Sequence, residues 1–234
     1  MTKIALLMGL NYRGSQAELG GCINDVLNTG KVLEEVYGYN PEDILYMTDD
    51  SEIKPTARNM LAQLIKLSER TYEENIEEIW ISYSGHGTYI TDLSDDEDDG
   101  KDECLVPLDY NESGMISDDH LNNILSLVHP DTRVVVIVDA CHSETMLDLP
   151  YRYVSGNKSV IENSKSRVKC NCIMISGCRD DQTSSDAYNI NNSKEYSGAM
   201  TSALLYVLEK FDYTITCWRL LKEMRRFLKK RKFD

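Results

Sequence analysis

Val134-Val135-Val136-Ile137-Val138-Asp139-Ala140-Cys141-His142-Ser143 is the stretch that decides the fold. Five β-branched residues in a row suit a strand buried on both faces, as in a parallel sheet covered by helices. The run starts at Thr132 and stops at Asp139, where polar and reactive side chains begin. Working outward, short apolar runs predict further strands over 3–10, 43–47, 77–83 and 171–176, with this one over 132–138. Amphipathic stretches predict helices over 21–37, 55–71 and 118–128, the last with Ser117 as its N-cap. Two more helices are expected over 197–209 and 215–230. This alternation predicts an α/β fold, a three-layer αβα sandwich around a mainly parallel central sheet. Polar stretches at 91–103, 151–169 and 182–194 read as surface loops.

With 234 residues, the chain is long enough for one domain with a substantial core. Its 41% hydrophobic and 27% charged residues are ordinary for a globular protein. No apolar run approaches the length of a membrane span, so no membrane partner is expected. The segment 4–10 runs into Asn11-Tyr12-Arg13-Gly14 without a small-residue cleavage pattern, which favours a buried strand over a signal peptide. A net charge of −14 argues against nucleic acid and leaves basic peptides or cations as natural ligands. Seven cysteines in no regular spacing suit free thiols in a reducing compartment, so a cytoplasmic protein is expected.

Two motifs fall at the carboxyl ends of predicted strands: Tyr83-Ser84-Gly85-His86-Gly87 and Asp139-Ala140-Cys141-His142-Ser143. Ligands of open parallel sheets bind at that edge. Neighbouring strands would bring His86 and Cys141 to one rim, as the general base and nucleophile of cysteine catalysis. His142 is adjacent to Cys141, and extended neighbours point to opposite faces, so the distant His86 is the preferred base. The amides of Gly87 and Cys141 are candidate oxyanion donors. Strand periodicity puts Asp139 on the side of Cys141 and Ser84 on the side of His86. Together they would line a pocket suited to a guanidinium or ammonium group. The histidine precedes the cysteine by about the 50 residues seen in caspases.

Several segments carry a more specific resemblance: Leu19-Gly20-Gly21-Cys22-Ile23-Asn24-Asp25, the two motifs above, Leu147-Asp148-Leu149-Pro150, 175–184 and Ser197-Gly198-Ala199-Met200-Thr201. In this order they resemble the metacaspases, caspase-related peptidases that cut after Arg or Lys. The resemblance implies a caspase-like sandwich as one domain over 1–234. Within it lie a large-subunit-like region to about 150, a processing loop at about 151–169 and a small-subunit-like region from about 170. A compact type I-like chain without a prodomain, working as a monomer, is expected. The resemblance adds Asp25 to the pocket of Ser84 and Asp139; the competing role for Asp25 and Asp139 is to cap backbone N–H groups. One departure is Glu144, where the family usually has Gly. At a positive φ it would cost roughly 1–2 kcal/mol, and its charge would raise the pKa of a nearby thiol.

Eight carboxylates crowd 91–103, hard ligands in number for Ca²⁺, although a solvated acidic loop has the same composition. An EF-hand is excluded, because a loop beginning at Asp95 puts Val106 where the closing Glu belongs. The resemblance instead implies a Ca²⁺ site from Asp102, Asp118, Asp119 and Asp148, with Asp99 or Glu103 as alternatives to Asp102. Cys170, Cys172 and Cys178 match no zinc spacing and read as buried thiols. Basic residues in 151–169 are candidate self-cleavage points, and those from Arg219 to Lys232 read as the outer face of a docked helix. The expected function is a Ca²⁺-activated cysteine endopeptidase specific for Arg or Lys. A catalytically weak scaffold of the same fold, or a plain acidic Ca²⁺-binding module, are the alternatives.

Overall fold

A computed structural model describes residues 2–91, 101–141, 143, 146–155, 158–161, 166–177, 186–188 and 196–231. Its centre is a sheet of β1 (Thr2–Gly9), β2 (Ile44–Thr48), β3 (Ile76–Ser84), β7 (Arg133–Asp139) and β10 (Asn171–Ser176). The strands lie in the order β10-β7-β3-β1-β2, and every pair is parallel. All five predicted strands are present, within two residues of their expected ends.

Alternation along the strands explains the layers. Ile4, Leu6 and Met8 of β1 and Val134, Val136 and Val138 of β7 pack toward α2 (Ala57–Glu73) and α4 (Asp118–Leu125). On the opposite face, Ala5 and Leu7 meet α1 (Cys22–Glu35), and Ile137 meets α5 (Ala199–Lys210) and α6 (Cys217–Lys230). Each fully buried Val or Ile stabilises the fold by about 1.5–3 kcal/mol, so β7 anchors both layers at once. Among the described residues, no helix is long and apolar enough to cross a membrane.

Three expected loops carry structure of their own. Residues 91–103 are not wholly a surface loop: β4 (Gly87–Thr91) and β5 (Lys101–Leu105) pair antiparallel, and β5 also pairs with β6 (Ile116–Ser117). Asp102 and Glu103 in β5 are buried. Within 151–169, β8 (Tyr151–Ser155) and β9 (Lys158–Ile161) form a hairpin. Within 182–194, β11 (Asp186–Tyr188) pairs with β12 (Tyr196–Gly198). A short helix, α3 (Tyr110–Ser113), is also additional. Ser117 does stand at the N-cap of α4, but its hydroxyl lies 2.8 Å from His120 Nδ1 and does not cap. The predicted helix end at 128 was too long, because the last turn is already broken at Ser126.

The strand order reverses beside β1: β2 lies on one side of it and β3 on the other. Such a switch point opens a crevice at the carboxyl ends of the strands. The β1–α1 loop and the end of β3 meet there, where Leu10 N–H donates to Ser84 O at 2.9 Å.

Candidate active site

The register of β3 on β7 pairs Ser84 with Asp139. Gly85 N–H adds a bond to Asp139 O at 3.3 Å. His86 and Cys141 each lie two residues beyond that rung, at neighbouring strand ends. After His86 the chain crosses tightly over the second motif. A Cβ at Gly87 would stand 1.9 Å from Cys141 O, so a glycine is required for the two backbones to approach. Cys141 is partly exposed, whereas Ser143 is fully buried and donates its hydroxyl to Ala140 O at 2.9 Å.

His86 Nε2 lies 2.7 Å from Ala17 O. A carbonyl only accepts, so Nε2 carries the proton and Nδ1 is left as the basic nitrogen. Ala17 sits on the β1–α1 loop, which Asp49 ties down by accepting Asn11 N–H at 2.8 Å and Arg13 N–H at 2.9 Å. Sequence reasoning missed Ala17, because a main-chain oxygen leaves no signature in residue type.

Asp25, Ser84 and Asp139 come together below this rim. All three are buried, and Ser84 Oγ donates to Asp25 Oδ2 at 2.6 Å. Gly198 N–H reaches both Asp25 oxygens, at 2.9 and 3.0 Å. Thr201 N–H, in the first turn of α5, donates to Asp139 Oδ2 at 2.8 Å. The capping role weighed for these acids is therefore present in the geometry. It does not separate them: a Cβ on Gly198 would stand 2.1 Å from Asp139 Oδ2 and 2.8 Å from Asp25 Oδ2. Two buried carboxylates thus converge on one point, with backbone donors holding their orientation. Gly198 and Thr201 contribute main-chain amides, and nothing in their types marked them beforehand.

Asp102, Asp118 and Asp148 are buried, and Asp119 is half-buried. Asp118 accepts Glu103 N–H at 2.8 Å and Asp119 N–H at 2.7 Å, which fastens α4 to β5. Burial, and then the charge of Asp148, push the Asp118 carboxyl well above the usual carboxylate range. Asp148 itself is held at a φ of 47°, a left-handed backbone that Asp tolerates better than most residues. The donors are of the kind Ca²⁺ takes, and a cation would relieve the repulsion between Asp118 and Asp148. Among the described residues, however, no three acidic, His or Cys side chains gather closely enough to hold a metal ion. Asn122 on α4 donates its amide to Leu147 O at 2.9 Å and Asp148 O at 3.2 Å, linking the helix to the loop after Cys141.

His142, Glu144, Cys178 and Asp99 lie outside the described residues, as does most of the acidic run. Among the described residues no cysteine forms a disulfide, and burial pushes the Cys172 thiol up to about 12.

A buried sheet with a Cys and a His at adjacent strand ends is the arrangement of caspase-fold peptidases. Residues 3–150 match the family described as "Metacaspase, peptidase C14 domain". Metacaspase-1 of Cryptococcus neoformans is 35% identical over 89% of this chain and 56% of its own length. Metacaspase-1 of Yarrowia lipolytica is 34% identical over 97% of this chain and 59% of its own. This chain belongs to the metacaspase family, and spans a little over half the length of these curated relatives. Among solved structures, a Geobacter sulfurreducens protein superposes with a TM-score of 0.68 at 25% identity, over 97% of this chain and 89% of its own. The structure of pro-sf-caspase-1 superposes at 0.55 and 12% identity, over 95% and 76%, which supports the caspase-like fold.

Proposed function

We propose that this chain is a cysteine endopeptidase in which Cys141 attacks the scissile carbonyl carbon and His86 is the base. The observation that carries this is the Ser84–Asp139 rung, with His86 and Cys141 each two residues beyond it. His86 Nδ1 takes the thiol proton and later returns it to the leaving amine. The amides of Gly87 and Cys141 are the proposed donors to the oxyanion. Substrates carry Arg or Lys before the cut bond, recognised by Asp25, Ser84 and Asp139. Two buried carboxylates at one point favour a cation there and repel an acidic side chain. Self-cleavage belongs to the same proposal. Of the basic residues in 151–169, Arg167 and Lys169 are exposed and outside any strand.

Calcium is the proposed activator, with Asp102, Asp118, Asp119 and Asp148 as ligands that draw together when it binds. Bound there, it would supply charge neutralisation beside the loop that follows Cys141. The test is hydrolysis of peptides with Arg, Lys or Asp at the cleaved position, with Ca²⁺ and with excess chelator, for wild type, Cys141→Ala and His86→Ala. Turnover confined to the basic peptides, abolished in both variants and dependent on Ca²⁺, is expected. Undiminished turnover by Cys141→Ala would overturn the mechanism. Full activity in chelator would overturn the calcium role alone.

A further inference from the structure

We propose that Tyr12 and Tyr83 are positioning residues that set the orientation of His86, through a closed set of hydrogen bonds to its main chain. The inference rests on His86 being the base for Cys141. Both phenols are buried, Tyr12 from the β1–α1 loop and Tyr83 from β3, and their hydroxyls stand 3.1 Å apart. His86 N–H donates to the Tyr12 hydroxyl at 3.0 Å. That hydroxyl donates to Val106 O at 2.6 Å. Tyr83 O–H donates to His86 O at 2.6 Å, and Val106 N–H comes back to the Tyr83 oxygen at 3.2 Å. Each hydroxyl proton has one use, and both main-chain groups of His86 bond to a tyrosine side chain, with His86 O also accepting Val106 N–H at 3.3 Å.

His86 falls between β3 and β4, so these bonds supplement the strand-like bond from Val106 N–H to its carbonyl and supply the partner of its own N–H. The Tyr12 ring also lies against the imidazole, with centroids 4.8 Å apart. Tyr12 needs a positive φ of 50° to reach this position, an uncommon conformation for a residue of its size. Gly85 belongs to the same device: a Cβ there would stand 2.7 Å from the Tyr83 hydroxyl and 3.0 Å from that of Tyr12. The loop bearing Tyr12 also carries Ala17, whose carbonyl fixes the imidazole tautomer. One loop therefore holds the histidine at its backbone and at its ring. Burial keeps both phenols protonated and able to donate; Cys22 and Asp49 are the other titratable groups near Tyr12.

The test is the pH profile of Cys141 alkylation by iodoacetamide, read by peptide mapping, alongside kcat and KM on whichever peptide the wild type cleaves. The variants are Tyr12→Phe, Tyr83→Phe, His86→Ala and Tyr39→Phe. Tyr39 is a control: it is equally buried, and its hydroxyl donates to Glu78 at 2.8 Å, away from His86. Tyr12→Phe and Tyr83→Phe are expected to move the acid limb of alkylation toward that of His86→Ala. They should lower kcat by about 10- to 100-fold with KM nearly unchanged. Tyr39→Phe should lower thermal stability without moving the profile. Profiles and kcat for the two Phe variants that match Tyr39→Phe would overturn the proposal. A His86→Ala profile identical to wild type would overturn the underlying dyad instead. Hydrogen exchange of the wild-type His86 amide gives a check that needs no variant. Protection comparable to β3 amides is expected, and exchange at open-loop rates would overturn the proposal.

Discussion

Gly198 has no side chain, yet the space around it decides how close two acids stand. Adding one methyl there meets Asp139 Oδ2 at 2.1 Å and Asp25 Oδ2 at 2.8 Å. Gly198→Ala is therefore expected to fold with a stability loss of about 1–3 kcal/mol. It should also lower kcat/KM on an Arg peptide about tenfold or more, equivalent to roughly 1.4 kcal/mol. An unchanged kcat/KM would separate Gly198 from substrate binding. Asp139→Asn tests the charge itself. It keeps an oxygen for Thr201 N–H, so the fold should survive while cleavage after Arg falls by about 2–5 kcal/mol in transition-state stabilisation. Cleavage by Asp139→Asn at the wild-type rate would remove Asp139 from the pocket. At this scale the sequence was legible where chemistry resides in side chains. Cys141, His86, Ser84 and Asp139 stand out because reactive or charged types follow apolar strands. Ala17, Gly198 and Thr201 act through main-chain oxygen and nitrogen, which every residue carries.

Helix α4 links two features that are far apart in the chain. Asp118 opens it and binds β5, and Asn122, one turn on, holds the carbonyls of Leu147 and Asp148. Asn122→Ala leaves those buried carbonyls without this donor, at a cost of about 1–3 kcal/mol. Peptide hydrolysis should slow as well, because the released loop follows Cys141. A contrasting element is α2, where Thr56 caps the helix by accepting Asn59 N–H at 3.3 Å. Thr56→Ala should cost about 1 kcal/mol in urea unfolding and leave activity alone. A loss of activity matching that of Asn122→Ala would show that both report stability only. The strands of the main sheet were legible from β-branched runs, and the five large helices from amphipathic spacing. The β8–β9 hairpin was missed because its strands are short and lie in a polar stretch with scattered Lys and Arg, although Gly156-Asn157 is a two-residue hairpin signal. β5 was hidden by the acidic run leading into it. Its Asp102 and Glu103 are charged types that composition assigns to solvent, while the fold buries them.

For the whole molecule, the switch point beside β1 gathers contributions from three regions. The β1–α1 segment gives Tyr12, Ala17 and Asp25, the β3 and β7 ends give His86 and Cys141, and the start of α5 gives the amides of Gly198 and Thr201. The buried acids near α4 form a second feature whose state should be felt globally. Burial, and then the charge of Asp148, disfavour the charged form of Asp118, and a cation that binds only the folded form stabilises it by mass action. Ca²⁺ at a hundredfold excess over its Kd should raise the unfolding midpoint by roughly 5–10 °C for a chain of this size. Chelator should reverse the shift, and Asp118→Asn should abolish it. A midpoint indifferent to Ca²⁺ would remove these carboxylates as its site.

The most direct single measurement is covalent trapping. The protein, in Ca²⁺, is treated with peptidyl chloromethyl ketones ending in Arg or in Asp, and the adduct is mapped by mass spectrometry. A cysteine peptidase with an acidic pocket should form one adduct, on Cys141 Sγ, with the Arg reagent only, and should lose it in His86→Ala. Labelling at another residue, or equal labelling of Cys141 by the Asp reagent, would contradict it.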